Sequence, residues 1–368
     1  MKHINTEKEL EEVGSAAVRD LLRCLPGAKV TPLAGVSQAG GHRQADGLVR
    51  VKYGDTAHLL VIEVKAHGAP RFVRSAVHQL ESIVAHMPEH LPPRGAEQFV
   101  PILVAPYLSP ESQAICRDYD VAYVDLEGNA RLVFDGVYIE RSVPSKPKPE
   151  TRALRSIFTP KAAAILRALL REPEGPWLVT DLAGSANASL GHVSNVCKAL
   201  LEREWVDRRP DGIVLTQPNA LLRTWRENYR QPRAERFDAY THLHGRKFED
   251  LARTALNAET GVPRVMYARA SAAQWIAPFS RDATQSFYAD EAGARILREK
   301  LSLRPVGMGS NVVLYVTTDE SLFDDAIEPV PGLFCTDPIT TYLDLWCGND
   351  REREAAEHLG KEALPWIE

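Results

Sequence analysis

The segment from His58 to Ala66 reads His-Leu-Leu-Val-Ile-Glu-Val-Lys-Ala, and it constrains the fold more than any other stretch of the chain. Aliphatic and β-branched residues dominate it, and turn-forming residues bound it on both sides, so we predict a β-strand. Successive side chains of a strand point to opposite faces, so Glu63 and Lys65 share one face. The sequence therefore predicts a charged pair that projects together from a largely apolar strand.

A second strand is predicted over residues 47–53, directly before a Gly-Asp turn. The turn folds this strand back beside the first one and brings Asp46, at its edge, next to Glu63. Two converging carboxylates are typical ligands of hard cations such as Mg²⁺ or Mn²⁺. The carbonyl of Val64 is a candidate third ligand. These residues therefore predict a divalent-metal site.

Two further side chains fit chemistry on a phosphate at this site. Lys65 can orient or deprotonate an attacking water and offset negative charge on the phosphorus centre. Gln79, on a helix predicted over residues 75–86, can position the same water or a phosphate oxygen. The pattern is typical of metal-dependent phosphodiester hydrolysis, although a strand face with alternating charges produces it in other proteins too.

Asp46, the Glu63-x-Lys65 pair and Gln79 resemble the active-site motif of the PD-(D/E)xK nuclease superfamily. The resemblance covers about the first 140 residues and implies an α/β, restriction-endonuclease-like fold. It also implies a catalytic glutamate on the first helix. Glu12 is our choice, and the alternatives are Glu7, Glu9 and Glu11. Nuclease folds also serve as inactive DNA-binding modules, so the fold leaves cleavage an open question.

The charges are distributed unevenly, although the whole chain carries a formal net charge of −5. Lysines and arginines outnumber aspartates and glutamates by 17 to 10 in residues 141–236. The balance is 14 to 18 in residues 1–140 and 13 to 21 in residues 237–368. A basic middle between acidic ends indicates a nucleic-acid-binding region there.

Proline-rich stretches predict where the domain boundaries lie. Residues 143–158 read as an extended, proline-rich basic linker, which follows the nuclease-like domain of residues 1–142. Residues 159–236 and 237–368 then form two more domains. The five scattered cysteines lack a Cys-x-x-Cys pair and are expected to be reduced. Because the chain has neither an apolar run of membrane-spanning length nor a signal peptide, we expect a cytoplasmic protein without membrane contact.

The middle domain resembles a winged helix-turn-helix. A helix capped by Thr159 runs to Arg171, a short strand follows at Trp177, and Thr180 caps a second helix. A third helix opens at Ser189, and two strands around a turn form the wing. In that family the third helix enters the major groove. The candidate contacts to double-stranded DNA are Ser189, His192, Ser194, Asn195, Lys198, Arg208 and Arg209.

The C-terminal domain is expected to be α+β. Residues 271–275, 337–345 and 351–359, together with residues 221–229, resemble the antitoxin of AbiE-like (type IV) toxin-antitoxin systems. The resemblance covers roughly residues 159–368. It implies a regulator that represses its own operon and a partner toxin that resembles a nucleotidyltransferase. Because winged-helix regulators commonly dimerise, we also expect a homodimer.

Three functions are compatible with these patterns. The first is a DNA-binding regulator or antitoxin in which the nuclease-like domain adds grip or dimer contacts. The second is a Mg²⁺-dependent endonuclease targeted to DNA by its winged helix. The third is an interaction protein that neutralises a toxin through its acidic C-terminal domain. Of these, the sequence favours the regulator.

Overall fold

The structure, a computed structural model, describes residues 6–33, 45–87, 98–144, 146–256, 264–279 and 283–367. It is a mixed α/β structure with two seven-stranded sheets and a separate two-stranded sheet. The chain divides into two compact units. The amino-terminal unit comprises Met1–Arg152 with Leu200–Glu204, and the carboxy-terminal unit comprises Ala153–Ala199 with Trp205–Glu368.

One seven-stranded sheet forms the centre of the amino-terminal unit, and its strands lie side by side in chain order. The three central strands are parallel to one another, whereas the outer pairs are antiparallel. The strands predicted over residues 47–53 and around Glu63 are confirmed. The seven strands are β1 (Lys29–Leu33), β2 (Gly47–Tyr53), β3 (Thr56–Val64), β4 (Gln98–Ala105), β5 (Ala122–Asp125), β6 (Ala130–Phe134) and β7 (Val137–Arg141).

Helices cover both faces of this sheet. Helix α1 (Glu7–Arg23) begins with a capping box formed by Thr6 and Glu9, and it packs its apolar side on the face of β2 and β3 that carries Val49 and Ile62. Helices α2 (Pro70–Ala85) and α3 (Pro110–Asp118) pack on the opposite face. The central strands of the sheet are therefore buried between two layers of helix, as the nearly continuous apolar sequence of β3 predicts.

The predicted linker is only partly extended. Residues 148–157 form helix α4 (Lys148–Ile157), where the sequence predicted an extended segment. Leu154 and Ile157 are spaced by one helical turn, and both are buried. Proline is tolerated in the first turn of a helix, so Pro149 does not prevent it. Burial of two apolar side chains on one helix face therefore decided the conformation here.

The first part of the carboxy-terminal unit contains three helices and a hairpin in the predicted order, and a fourth helix follows the hairpin. Helix α6 begins at Val179 with Leu178 as its N-cap, so the predicted cap at Thr180 is wrong. The predicted strand at Trp177 is reduced to a single bridge to Ile213. The elements are α5 (Pro160–Arg171), α6 (Val179–Ser185), α7 (Leu190–Glu202), β8 (Val206–Arg209), β9 (Gly212–Leu215) and α8 (Pro218–Asn228).

A second seven-stranded sheet, with mixed parallel and antiparallel pairs, occupies the rest of this unit. Its strand order is β13-β10-β14-β12-β11-β16-β15. The strands are β10 (Ala234–Tyr240), β11 (Val265–Tyr267), β12 (Gln285–Ala289), β13 (Arg304–Pro305), β14 (Val312–Thr317), β15 (Ile327–Val330) and β16 (Leu333–Cys335). The helices are α9 (Gly245–Leu256), α10 (Arg269–Ile276), α11 (Glu291–Lys300), α12 (Ser321–Asp324), α13 (Pro338–Trp346) and α14 (Asp350–Ala363).

Buried polar contacts join helices α5 and α8 to α13 within this unit. The Arg167 guanidinium on α5, 5% exposed, donates to Asp325, directly after α12, at 2.6 Å, and its Nε lies 3.9 Å from Oδ2 of Asp337, the N-cap of α13. The hydroxyl of Tyr229, directly after α8, donates to the fully buried Asp344 at 2.8 Å. Because an unpaired buried charge is costly, these pairs hold the three helices in one arrangement.

Candidate functional site

The β2–β3 hairpin brings the two predicted metal-binding carboxylates together. Gly47 of β2 lies opposite Ile62 of β3. One residue further along this antiparallel register, Asp46 lies opposite Glu63. The Asp46 carboxylate also accepts a hydrogen bond from the backbone N–H of Val64 at 2.7 Å. This bond fixes Asp46 at the end of the hairpin, beside the strand that carries Glu63.

Lys65 connects the strand to helix α2. Its ammonium group donates to Glu63 Oε1 at 2.5 Å and to Gln79 Oε1 at 3.0 Å. Glu63 is only 1% exposed, and a buried carboxylate needs a cationic or hydrogen-bonded partner. Two oxygen acceptors therefore fix the orientation of the Lys65 side chain. Its ammonium group is held in one position on the side of the sheet that carries Asp46.

The cluster lies on the α2 face of the sheet and opens to water. Asp46 is exposed and Gln79 is half-buried. The Lys65 side chain is 21% exposed, whereas the Glu63 side chain is only 2% exposed. A substrate can thus approach from the Asp46 side while Glu63 stays beneath the surface.

The structure does not bring Glu12 to this cluster. Glu12 is exposed on α1, which covers the opposite face of the sheet. Glu11 is half-buried and lies one turn before Gly14 and Ser15, both of which lie close to the sheet. A Cβ atom at Gly14 would lie 3.3 Å from Val64 Cγ2. Among the α1 glutamates, Glu11 therefore has the position nearer to this end of β3.

Asp46 and Glu63 offer carboxylate oxygens, and Val64 offers a backbone carbonyl. Within the described ranges, no group of three or more His, Cys, Asp or Glu side chains could hold a metal. Two carboxylates completed by waters and substrate oxygens match Mg²⁺ or Mn²⁺ rather than a metal held entirely by side chains. The residues present fit such an ion.

Helix α7 presents one apolar and one polar face, as its sequence predicts. Val193, Val196, Cys197 and Leu200 are all buried. The polar residues Ser194, Asn195 and Lys198 are all exposed. These three side chains are therefore accessible to a macromolecular partner.

Ser189 and His192 have a different environment. The Ser189 hydroxyl accepts a hydrogen bond from the backbone N–H of His192 at 3.4 Å, in the position of a helix N-cap. Both residues line a cleft of about 680 Å³ whose other walls include Lys161, Asp319 and Asp324. The sequence contains no signal for this cleft because its walls are more than 100 residues apart along the chain.

The β8–β9 hairpin carries the two remaining predicted contacts. Arg208 and Arg209 lie on β8, and both are exposed. Other basic residues of this region are used internally. Arg167 is buried against Asp325, and the Arg226 guanidinium lies 3.7 Å from the ring centre of Trp346. The net charge of the segment therefore overstates its accessible positive charge.

Residues 337–345, which carry part of the antitoxin resemblance, are almost all buried. Asp337 caps α13 by accepting from the backbone N–H groups of Ile339 and Thr340, and Asp344 accepts from Tyr288 as well as from Tyr229. Packing and capping account for this part of the pattern. The partners that the resemblance implies remain predictions.

Comparisons with known proteins add little to this geometry. No protein-family model matches the chain, and no curated protein matches it. Among solved structures, it is similar to an XisH family protein from Nostoc punctiforme PCC 73102. That match has 12% sequence identity and a TM-score of 0.22, and it covers 32% of this chain and 91% of the other. At this TM-score the similarity carries no argument about function.

Across the part of the chain that the structure describes, no helix is both long and apolar enough to cross a bilayer.

Proposed function

We propose that the amino-terminal unit is a divalent-metal-dependent nuclease that hydrolyses phosphodiester bonds of DNA. The observation that carries this proposal is the position of Lys65, whose ammonium group contacts both Glu63 and Gln79 beside Asp46. A salt bridge placed only for stability would not need an exposed carboxylate and an amide at the same point. The structure therefore favours the Mg²⁺-dependent endonuclease, the second of the three functions compatible with the sequence.

Each residue has a role in this proposal. Asp46 and Glu63, with the Val64 carbonyl, would hold the cation. A bound Mg²⁺ or Mn²⁺ supplies Lewis acidity and lowers the pKa of a coordinated water. Lys65 offsets negative charge that develops on the phosphate oxygens, and Gln79 holds Lys65 in position. The exposed side of Asp46 is where the DNA backbone enters.

Cleavage of supercoiled plasmid tests the proposal. We expect nicking with Mg²⁺ or Mn²⁺ that EDTA abolishes, and a loss of about 100-fold or more in Asp46→Asn and Lys65→Gln, because each removes a charge at the reacting phosphate. Asp55→Asn is the matched control, since Asp55 is exposed at the other end of the same hairpin. Cleavage that persists in both site variants would exclude this site, as would a wild type that cuts no DNA form.

A second candidate function is favoured by the exposed polar face of α7 and by the exposed arginines of β8. We propose that residues 159–236 form a winged helix that reads a DNA operator. Asn195 can pair with adenine, and Lys198 can bind guanine or phosphate. Arg208 and Arg209 meet phosphates on either side of the groove. The chain would then regulate transcription, in keeping with its antitoxin resemblance.

Fluorescence anisotropy with the chain's own promoter and with scrambled DNA tests this function. Affinity for the promoter should be much higher, and its logarithm should fall with the logarithm of salt concentration with a slope of roughly −4 to −8, as for about five to nine phosphate contacts. Asn195→Ala should reduce the preference for the promoter, whereas Arg208→Ala should weaken binding to both DNAs alike. Equal binding to both DNAs by the wild type would exclude a regulator.

The hypothesis that the chain is an antitoxin has its own test. Co-purification with the product of a neighbouring gene that resembles a nucleotidyltransferase would support it, and the oligomeric state of the complex would show whether the chain acts as a homodimer. A neighbouring gene for a methyltransferase or helicase would favour the nuclease instead.

A further inference from the structure

Strands β1 and β2 carry basic residues on the same sheet face as the candidate active site. Side chains alternate along β2, so Arg50 and Lys52 point to the face that carries Asp46. In the β1–β2 pairing, Lys29 lies directly opposite Lys52 and Thr31 lies opposite Arg50. Three cations thus follow one another along this edge of the sheet. We call Lys29, Arg50 and Lys52 the basic strip.

The basic strip is accessible because helix α2 does not reach it. Helix α2 packs on β3 and β4, in the middle of the sheet. Lys29 and Lys52 are exposed, and Arg50 is half-buried. Between Asp46 and Arg50 on this face, Leu48 is buried in the apolar cluster under α2, so the exposed part of the strip is the part that carries Lys29 and Lys52.

The lysine pair is unfavourable for folding by itself. Like charges directly opposite each other on neighbouring strands destabilise a sheet, because their side chains approach closely. The amino-terminal segment also has a net negative charge, so this local concentration of cations does not follow from its composition. A bound anion would remove the repulsion.

We propose that the basic strip binds the phosphodiester backbone of DNA on one side of the cleavage site. The inference rests on the nuclease function proposed for Asp46, Glu63 and Lys65. Along β2, Lys52 lies six residues from Asp46, which is about 20 Å in an extended strand. That length corresponds to roughly six base-pair rises of B-DNA at about 3.4 Å each. The amino-terminal unit thus contacts several phosphates of its substrate without help from helix α7.

The test compares the full-length wild type with the double variant Lys29→Gln/Lys52→Gln. The matched control is Lys8→Gln/Arg23→Gln, which removes the same charge from exposed positions on α1, on the opposite face. Affinity for a 30-base-pair duplex of arbitrary sequence is measured in EDTA over a series of salt concentrations. KM and kcat for plasmid cleavage are measured separately with Mg²⁺.

We expect the strip variant to bind the duplex about five- to twenty-fold more weakly, as for the loss of two exposed ion pairs. The slope of log affinity against log salt should become less steep by about 1.8, since each phosphate contact contributes about 0.9. KM should rise by a similar factor while kcat stays unchanged, because the strip does not touch the reacting phosphate. The control variant should behave as the wild type.

Several results separate this inference from the proposed function. If the wild type does not cleave DNA but the strip variant still binds it more weakly, the nuclease function is excluded and DNA binding by the basic strip is supported. If the wild type cleaves DNA but both double variants bind it equally well, DNA binding by the basic strip is excluded and the nuclease function is supported. The binding series is repeated in an Arg208→Ala/Arg209→Ala background. Without these arginines, strong DNA binding by the β8–β9 hairpin cannot hide the loss of affinity in the strip variant. No effect of the strip variant in either background would overturn the inference.

Discussion

The buried carboxylate of Asp344 predicts an unusual pH dependence for the carboxy-terminal unit. Asp344 is 0% exposed, and it accepts hydrogen bonds from the hydroxyls of Tyr229 at 2.8 Å and Tyr288 at 2.9 Å. Burial raises the pKa of Asp344 from an ordinary value near 3.8 to about 6, although the two tyrosines and Arg269 oppose the shift. The folded protein therefore takes up a proton here at a pH where the unfolded chain does not.

The sign of the effect follows from linkage. A carboxyl group whose pKa is higher in the folded state contributes stability that is fully present below the unfolded pKa. This contribution is lost as pH rises through the folded pKa of about 6. With these two pKa values, the contribution of Asp344 to the free energy of unfolding is larger at pH 5 than at pH 8 by on the order of 1 kcal/mol.

Asp344→Asn removes the titration while keeping the size of the side chain. The amide oxygen can accept from one tyrosine, and the amide N–H can donate to the other. The wild type minus variant difference in unfolding free energy should therefore be larger at pH 5 than at pH 8 by on the order of 1 kcal/mol. Urea denaturation followed by tryptophan fluorescence measures it, because all six tryptophans lie between residues 177 and 366, within the carboxy-terminal unit.

The control is Asp350→Asn, which removes a carboxylate that is 96% exposed. Its difference from the wild type should be the same at pH 5 and pH 8. Other titrating groups cancel in both differences, since they are common to each pair of proteins. A wild type minus Asp344→Asn difference that does not change between the two pH values would show that burial does not raise the pKa of Asp344, and one that is larger at pH 8 would show a lowered pKa instead.

Three further predictions concern the amino-terminal unit. Gly14→Val should destabilise it by about 1–3 kcal/mol, because even a Cβ atom at Gly14 would lie 3.0 Å from Val104 Cγ1; faster hydrogen exchange of the sheet amides would show this. Asp125→Ala should cost about 3 kcal/mol or more, since the buried carboxylate accepts from four backbone N–H groups; equal urea midpoints by circular dichroism would contradict it. Gln79→Ala should lower kcat for plasmid cleavage by about tenfold, less than Lys65→Ala, because Lys65 keeps its contact with Glu63; an equal loss in both variants would assign Gln79 a direct role.

The β2–β3 hairpin could be predicted from sequence because its determinants are local. Gly54 adopts a positive φ of 59° in the turn, which glycine allows, and alternation places Glu63 and Lys65 on one face. The helix that carries Gln79 is also predictable from its apolar spacing. These short-range signals together specify four of the five predicted catalytic side chains as neighbours. The position of α1 on the other face, which separates Glu12 from them, depends on packing that no local pattern encodes.

The carboxy-terminal unit shows the opposite case. Arg167 and Asp325 are 158 residues apart in the chain, yet they form a buried ion pair. From sequence, Arg167 counted as one more cation of a DNA-binding region. The cleft that Ser189 and His192 line also depends on residues from a distant part of the chain. Pairing over such separations is set by the tertiary fold, so a helix-by-helix pattern identifies the exposed face of α7 but not the surroundings of its first turn.

A charge contributes to DNA binding only where phosphates can reach it, so placement matters more than net charge. In the basic middle segment, Arg167 is buried and Arg226 lies against Trp346, which leaves less positive charge for a groove than the count indicates. In the acidic amino-terminal segment, Lys29 and Lys52 are exposed on the face that carries Asp46. The two segments thus differ less in their capacity to hold a DNA backbone than their net charges imply. Among the residues that the structure describes, the amino-terminal unit carries its accessible cations on the same sheet face as Asp46, Glu63 and the oriented Lys65, so its positive charge can hold a DNA backbone that also reaches these carboxylates.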